Sequence, residues 1–125
     1  MTNTDRVLAF IDAWNRMDWN AIGEAFAEDV VYHNIPMEKI EGKATAMAFI
    51  TGMQPESVNW EVIAIAENGD QVLTERVDNF VMPGGKNLSL PVMGTFEFTD
   101  GKISAWRDYF DLADFQTQMA AAAGG

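Results

Sequence analysis

Arg76 and Asp78 stand two residues apart in Thr74-Glu75-Arg76-Val77-Asp78, a run with the composition of a strand. Strand side chains alternate faces, so this guanidinium and this carboxylate lie on the same side. Asp108, in Trp106-Arg107-Asp108-Tyr109-Phe110-Asp111, shares its face with Trp106 and Phe110, while Tyr32 and Asn34 share theirs with Val30. A carboxylate among large aromatic side chains is costly to bury unless it is paired. If these groups converge, two carboxylates holding one proton between them and bridged by one arginine carry no net charge, which lowers the cost of burial. One aspartic acid can then protonate a leaving oxygen while the other aspartate deprotonates water, the two tasks needed to open a strained ring hydrolytically. Tyr32 and Asn34 would hold that water by hydrogen bonds and fix its line of attack.

The same pattern admits a plainer interpretation. Thr74, Arg76 and Asp78 can form part of a wet face, with Leu73, Val77 and Val81 turned to the core. Against this, Val72, Phe80 and Met82 stand on the Arg76 face too, so that face is not simply polar. Tyr32 and Asn34 also suit an ordinary strand end.

Other chemistries are removed by the residues the chain lacks. His33 is the only histidine and falls on the strand face opposite Tyr32 and Asn34, where a structural role is expected. No serine has the Gly-x-Ser-x-Gly context, and there is no cysteine, so there is no disulfide, thiolate nucleophile or sulfur-ligated metal site. One histidine with scattered carboxylates has no metal-ligand spacing. Pro83-Gly84-Gly85-Lys86 sits in a hairpin rather than ahead of a helix, so it is no phosphate loop. A net charge of -11, with the Lys and Arg scattered, disfavours nucleic acid and anionic membrane surfaces as partners. No apolar run approaches membrane-spanning length and no signal-peptide core is visible, which makes a cytoplasmic protein the expectation.

The elements that must position these residues follow from periodicity. The 125 residues suit a single domain with one core. Val7, Leu8, Phe10, Ile11 and Trp14 recur at helical steps from Thr4, the expected N-cap. Asn20 to Glu28 reads as a second short helix capped by Asn20, and Val30 to Ile35 as a strand ended by Pro36. Met37 to Gly42 reads as a loop and Lys43 to Gly52 as a helix. Strands are then expected at Val58 to Glu67, Gln71 to Met82, Leu88 to Thr99 and Lys102 to Phe110, with hairpin signals at Asn68-Gly69, Pro83-Gly84-Gly85 and Asp100-Gly101. Pro91 interrupts the third of these strands. Leu112 to Met119 has helical character, and residues 120–125 read as a frayed tail. Helices followed by hairpin-linked strands predict an α+β fold, in which a strongly curved, mainly antiparallel sheet packs on the helices and leaves a deep pocket between them.

Tyr32-His33-Asn34-Ile35-Pro36, Thr74-Glu75-Arg76-Val77-Asp78 and Trp106-Arg107-Asp108-Tyr109-Phe110-Asp111 closely resemble the limonene epoxide hydrolase family, in the same order and with matching hairpins. The resemblance covers nearly the whole chain and implies a cone-shaped fold of the nuclear-transport-factor-like, SnoaL-like superfamily. It implies Asp78 as the acid that protonates the epoxide oxygen, Arg76 as the bridge, Asp108 as the general base, and Tyr32 and Asn34 as its partners in holding water. It further implies one-step hydrolysis of an apolar, cyclic epoxide to a vicinal diol, without metal, cofactor or covalent ester, in a homodimer. Trp106, Phe110, Phe80, Leu90 and Val92 match the family's apolar pocket positions. The chain starts later than better-known members, which leaves open how the pocket is closed. Two alternatives use the same fold: a proton-transfer enzyme of the ketosteroid isomerase or polyketide cyclase kind, and a non-catalytic small-ligand-binding module.

Overall fold

A computed structural model describes the backbone of residues 1–124 and the side chains of residues 1–121. The chain runs α1 (Asn3–Asn15), α2 (Trp19–Ala25), β1 (Phe26–Ile35), β2 (Ile40–Glu41), α3 (Lys43–Gly52), β3 (Ser57–Asn68), β4 (Gln71–Met82), β5 (Lys86–Thr99), β6 (Lys102–Phe110) and α4 (Leu112–Gly124). The strands form one sheet in the order β2-β1-β6-β5-β4-β3. Only β1 and β6 are parallel, and the other neighbours run antiparallel. The architecture is the expected α+β one: a curved, open, mixed sheet with the N-terminal helices against its inner face.

Helix α1 is capped two residues earlier than expected. Thr2, not Thr4, is the N-cap: its hydroxyl accepts from the Asp5 N–H at 3.0 Å while the Asp5 carboxylate accepts from the Thr2 N–H at 3.1 Å. Thr4 instead gives its N–H and hydroxyl to Glu67 at the end of β3, fixing the helix start to the sheet. The inward face of α1 buries Val7, Phe10, Ile11, Ala13 and Trp14.

The junction of α2 and β1 also differs. Asp18 rather than Asn20 caps α2, accepting from the Ala21 N–H at 3.0 Å, and the helix stops at Ala25. Phe26 is already extended, buried and paired with Ile103 of β6, so sheet pairing overrides the helical preference of Ala27 and Glu28. Within the expected loop after Pro36, Ile40 and Glu41 pair with Tyr32 and Val31 as a short edge strand. Helix α4 continues past Met119 over residues that read as a tail, and Gly125 lies outside the described residues.

The hairpin turn at Asp100-Gly101 has positive φ at both residues, 51° and 76°, the geometry that joins twisted antiparallel strands. Along β4, Val72, Thr74, Arg76, Asp78 and Phe80 are all buried while Leu73 and Glu75 are exposed. The Arg76 face is therefore the inside of the molecule, and the wet-face alternative is excluded.

Pro91 does not break β5. The last pair between β5 and β6 is Val92 with Phe110, so residues 86–91 have a strand neighbour only in β4. Two residues before the proline, the Ser89 N–H turns away from β4 to the Gln118 side chain of α4 at 2.8 Å, and Gln118 returns a hydrogen bond to the Ser89 carbonyl at 2.7 Å. By the two-residue repeat, the missing N–H of Pro91 falls on that same open side, where no strand needs it.

Candidate active site

Sheet register puts the polar residues in adjacent rows. Thr74, Gly94, Asp108 and Asn34 pair in turn across β4, β5, β6 and β1, and the neighbouring rows bring Arg76 opposite Val92 and Trp106 opposite Tyr32. Two residues further along β4, Asp78 faces Trp60 of β3. All of these lie on the inner face, so alternation along four strands delivers the groups to one place.

The sequence expectation that Arg76 bridges two carboxylates corresponds to a specific geometry. Arg76 Nε and Nη2 donate to Oδ1 and Oδ2 of Asp78 at 3.0 and 2.8 Å, while Nη1 and Nη2 donate to Oδ1 and Oδ2 of Asp108 at 3.2 and 2.9 Å. The guanidinium thus makes two forked contacts at once, a geometry a lysine cannot reproduce. The Arg76 side chain has no exposed surface, and each aspartate residue retains 4%. Its Cζ lies 5.0 Å from the Trp60 ring centroid and 5.9 Å from that of Phe96, so two aromatic rings face the cation. Burial works against the charged guanidinium, but the Asp108 and Asp78 carboxylates outweigh it and hold Arg76 protonated.

The two carboxylates are not equivalent. Asp108 Oδ1 also accepts from the indole N–H of Trp106 at 2.8 Å, so Asp108 receives three donors where Asp78 receives two. Burial pushes the Asp78 carboxyl up to about 6, against the pull of Arg76 and with a further push from the Asp108 charge. Burial first, and then the Asp108 charge, raise the Tyr32 phenol well above its ordinary range, so it remains a hydrogen-bond donor. The Tyr32 ring is stacked on Trp106, 4.3 Å between centroids and 12° between planes.

Asp78, Asp108, Tyr32 and Asn34 all open on a cavity of about 340 Å³ between the sheet and the helices. The rest of its wall is apolar. Phe80, Leu90, Val92 and Phe110 line it as expected, and α3 and α4 add Phe49, Phe115 and Met119. Trp106 does not line it. Although expected on the pocket wall, Trp106 is fully buried behind Asp108, because its indole is enclosed by Tyr32, Phe96 and Phe10. His33, on the opposite face of β1, bonds through Nε2 to the Met37 carbonyl oxygen at 2.8 Å, consistent with a structural role.

Two supporting residues escape a reading of the sequence by residue type. Thr74 accepts from Arg76 Nη1 at 3.0 Å and donates to the Gly94 carbonyl at 3.2 Å, which orients the guanidinium from behind. Gly94 lies between Thr74 and Asp108 in the row. A Cβ there would stand 2.3 Å from Asp108 Oδ1 and 2.5 Å from Arg76 Nη1, so the arginine reaches Asp108 through the space a side chain would fill. An isolated glycine inside a strand is the signal that marks such an approach.

A family model described as the limonene-1,2-epoxide hydrolase catalytic domain matches residues 1–121. The chain belongs to the limonene-1,2-epoxide hydrolase family. It is similar to the epoxide hydrolase EphG of Mycobacterium tuberculosis, 36% identical over 110 residues, which covers 86% of this chain and 72% of that protein. Among solved structures it is similar to an LEH-like epoxide hydrolase from M. tuberculosis, with a TM-score of 0.82 and 30% identity over 97% of this chain and 95% of the other. An NTF2-like protein from Burkholderia pseudomallei matches with the same TM-score at 19% identity, over 97% of each chain, and so shares the fold alone. Among the described residues, no three His, Cys, Asp or Glu side chains come together as a metal-binding group, and no helix is long and apolar enough to cross a membrane.

Proposed function

We propose that this protein adds water to an apolar, cyclic epoxide to give a vicinal diol, in one step and without a covalent enzyme intermediate. The observation that carries this is the double fork of Arg76 onto two buried aspartates that both open on an apolar cavity. Asp78, whose carboxyl is raised to about 6, is the acid: its proton goes to the epoxide oxygen as the carbon–oxygen bond breaks. Asp108 is the base and takes a proton from the water whose oxygen forms the new bond to carbon. Tyr32 and Asn34 flank Asp108 and hold that water. Among the described residues the wall offers no free cation to hold an anionic substrate, and its aromatic and aliphatic side chains provide the binding energy of an apolar one.

Asp78→Asn and Asp108→Asn are each expected to abolish diol formation while the protein stays folded. A single turnover in ¹⁸O-water should place one labelled oxygen in the first diol released. Near wild-type turnover by either variant, or an unlabelled first product with label retained on the protein, defeats the assignment.

The assembly is a homodimer on the same reading. On the outer sheet face Met93 is 52% and Tyr109 48% exposed, and they are direct neighbours in the β5–β6 ladder beside Ile35, with Leu73 nearby. An apolar group of this kind on a sheet face suits burial against a second copy.

A further inference from the structure

Turnover leaves the two carboxylates exchanged. Asp78 has lost its proton to the alkoxide and Asp108 has gained one from water, so the proton must return to Asp78 before the next epoxide can react. Arg76 forks onto both carboxylates, at 3.0 and 2.8 Å to Asp78 and at 3.2 and 2.9 Å to Asp108, and so does not itself favour Asp108 as the ionised partner. The difference between them lies in Trp106 Nε1, which donates to Asp108 Oδ1 at 2.8 Å and is the only side-chain donor to either carboxylate besides Arg76 among the described residues.

We propose that Trp106 is a positioning residue that sets which aspartate keeps the proton, holding Asp108 as the resting base and Asp78 as the resting acid. This rests on the epoxide hydrolase assignment for its consequences in turnover, but not for the proton location itself. Trp106 is fully buried and does not line the cavity, so it acts through Asp108 and not on the substrate. Its indole is clamped between Tyr32 and Phe96, stacked at 4.3 and 5.2 Å, with the edge of Phe10 at 5.1 Å, so the N–H has little freedom to turn elsewhere. A donor aimed at a carboxylate oxygen favours the ionised form of that carboxylate. The charged and titratable groups that face Asp108 are Arg76 and Asp78 of β4 and Tyr32 of β1. Gly94 and Phe96 of β5 and Phe10 and Trp14 of α1 bring none. Arg76 acts on both aspartates, and Tyr32 stays protonated, so Trp106 is the group that separates them.

Removing the N–H should therefore raise the population with the proton on Asp108. A hydrogen bond to a charged group of ordinary strength corresponds to roughly a tenfold to hundredfold change in that ratio. The test uses two variants: Trp106→Phe, and replacement of Trp106 by β-(3-benzothienyl)alanine, which keeps the bicyclic shape and substitutes sulfur for the N–H. Carboxyl carbons labelled with ¹³C in aspartate are followed by NMR across pH, with Asp78→Asn and Asp108→Asn for assignment. In the wild type the Asp78 signal should show the protonated form near pH 5. In both Trp106 variants the Asp108 ionisation should move up by about one pH unit or more. With a cyclic epoxide, kcat should fall about tenfold with KM little changed, and the acid limb of the kcat/KM profile should move up by the same interval.

Unchanged carboxyl titrations in the benzothienyl variant would overturn the proposal, whatever happens to the rate, since loss of activity alone would then mean disturbed packing. The NMR readout needs no substrate. If no epoxide is turned over by the wild type while the titrations shift as expected, the assignment of activity fails and the assignment of Trp106 stands.

Discussion

Replacing Gly94 with alanine adds one methyl group at the most crowded point of the site. The new carbon would lie 2.3 Å from Asp108 Oδ1 and 2.5 Å from Arg76 Nη1, whereas ordinary contact begins near 3.4 Å, so each atom must retreat by about 1 Å. Neither can do so freely. The two are hydrogen-bonded to each other at 3.2 Å, Oδ1 is also held by Trp106, and the guanidinium is faced by the rings of Trp60 and Phe96. Overpacking costs about 1–3 kcal/mol, and a lost charge-assisted hydrogen bond adds about 1.5–3 kcal/mol, so a destabilisation of about 2.5–6 kcal/mol is expected. A displacement of about 1 Å in a catalytic group also costs on the order of a hundredfold in kcat. Urea denaturation would read the first effect and initial rates of diol formation the second. Gly52→Ala is the control, because a Cβ there meets nothing within 4 Å. If Gly94→Ala matched the wild type within about threefold in turnover and about 0.5 kcal/mol in stability, the spread of ordinary surface substitutions, the account of the Arg76–Asp108 contact would be wrong.

The raised Asp78 carboxyl gives a pH dependence of defined sign. Its folded value of about 6 exceeds the ordinary 3.8, so the native state binds more protons between those values; stability should fall as pH rises through that window and level off above it. Subtracting the same urea series for Asp78→Asn isolates this contribution, and a difference that rose with pH would contradict it. In catalysis, kcat/KM should decline as pH rises past about 6, because the acid loses its proton in the free enzyme. For the proposed homodimer, Met93→Asp should yield a monomer in sedimentation velocity with its far-ultraviolet dichroism intact; an unchanged sedimentation coefficient would rule out the outer sheet face as the interface.

The rows of the sheet explain why much of the site was legible. Arg76 and Asp78 are two residues apart, so alternation alone puts them on one face, and the aromatic neighbours of Asp108 mark its face as buried. What could not be read was everything decided by pairing between distant segments. The end of α2 depends on Phe26 meeting Ile103, and the strand at Ile40 depends on Val31 and Tyr32 being in reach. The place of Gly94 between Thr74 and Asp108 is a matter of register, which a glycine in a list of strand residues does not reveal. Trp106, which shares a strand face with Asp108, was read as pocket wall because it matches the family's apolar pocket positions. A shared face does not fix depth, and three aromatic rings enclose the indole before it can reach the cavity.

The open side of β5 beside Pro91 bears on how the chain avoids its neighbours. From Lys86 to Pro91 the strand has backbone groups that no other strand of the sheet takes up, a surface on which foreign chains can assemble. Proline removes one donor from that surface, and Gln118 occupies both the donor and the acceptor of Ser89, imitating with one side-chain amide the contacts another strand would make. The helix that carries Gln118 also brings Phe115 and Met119 to the cavity. Shielding a sticky edge and walling the pocket are thus performed by one element, and a change that loosens α4 to admit a larger epoxide would also unmask a template for aggregation.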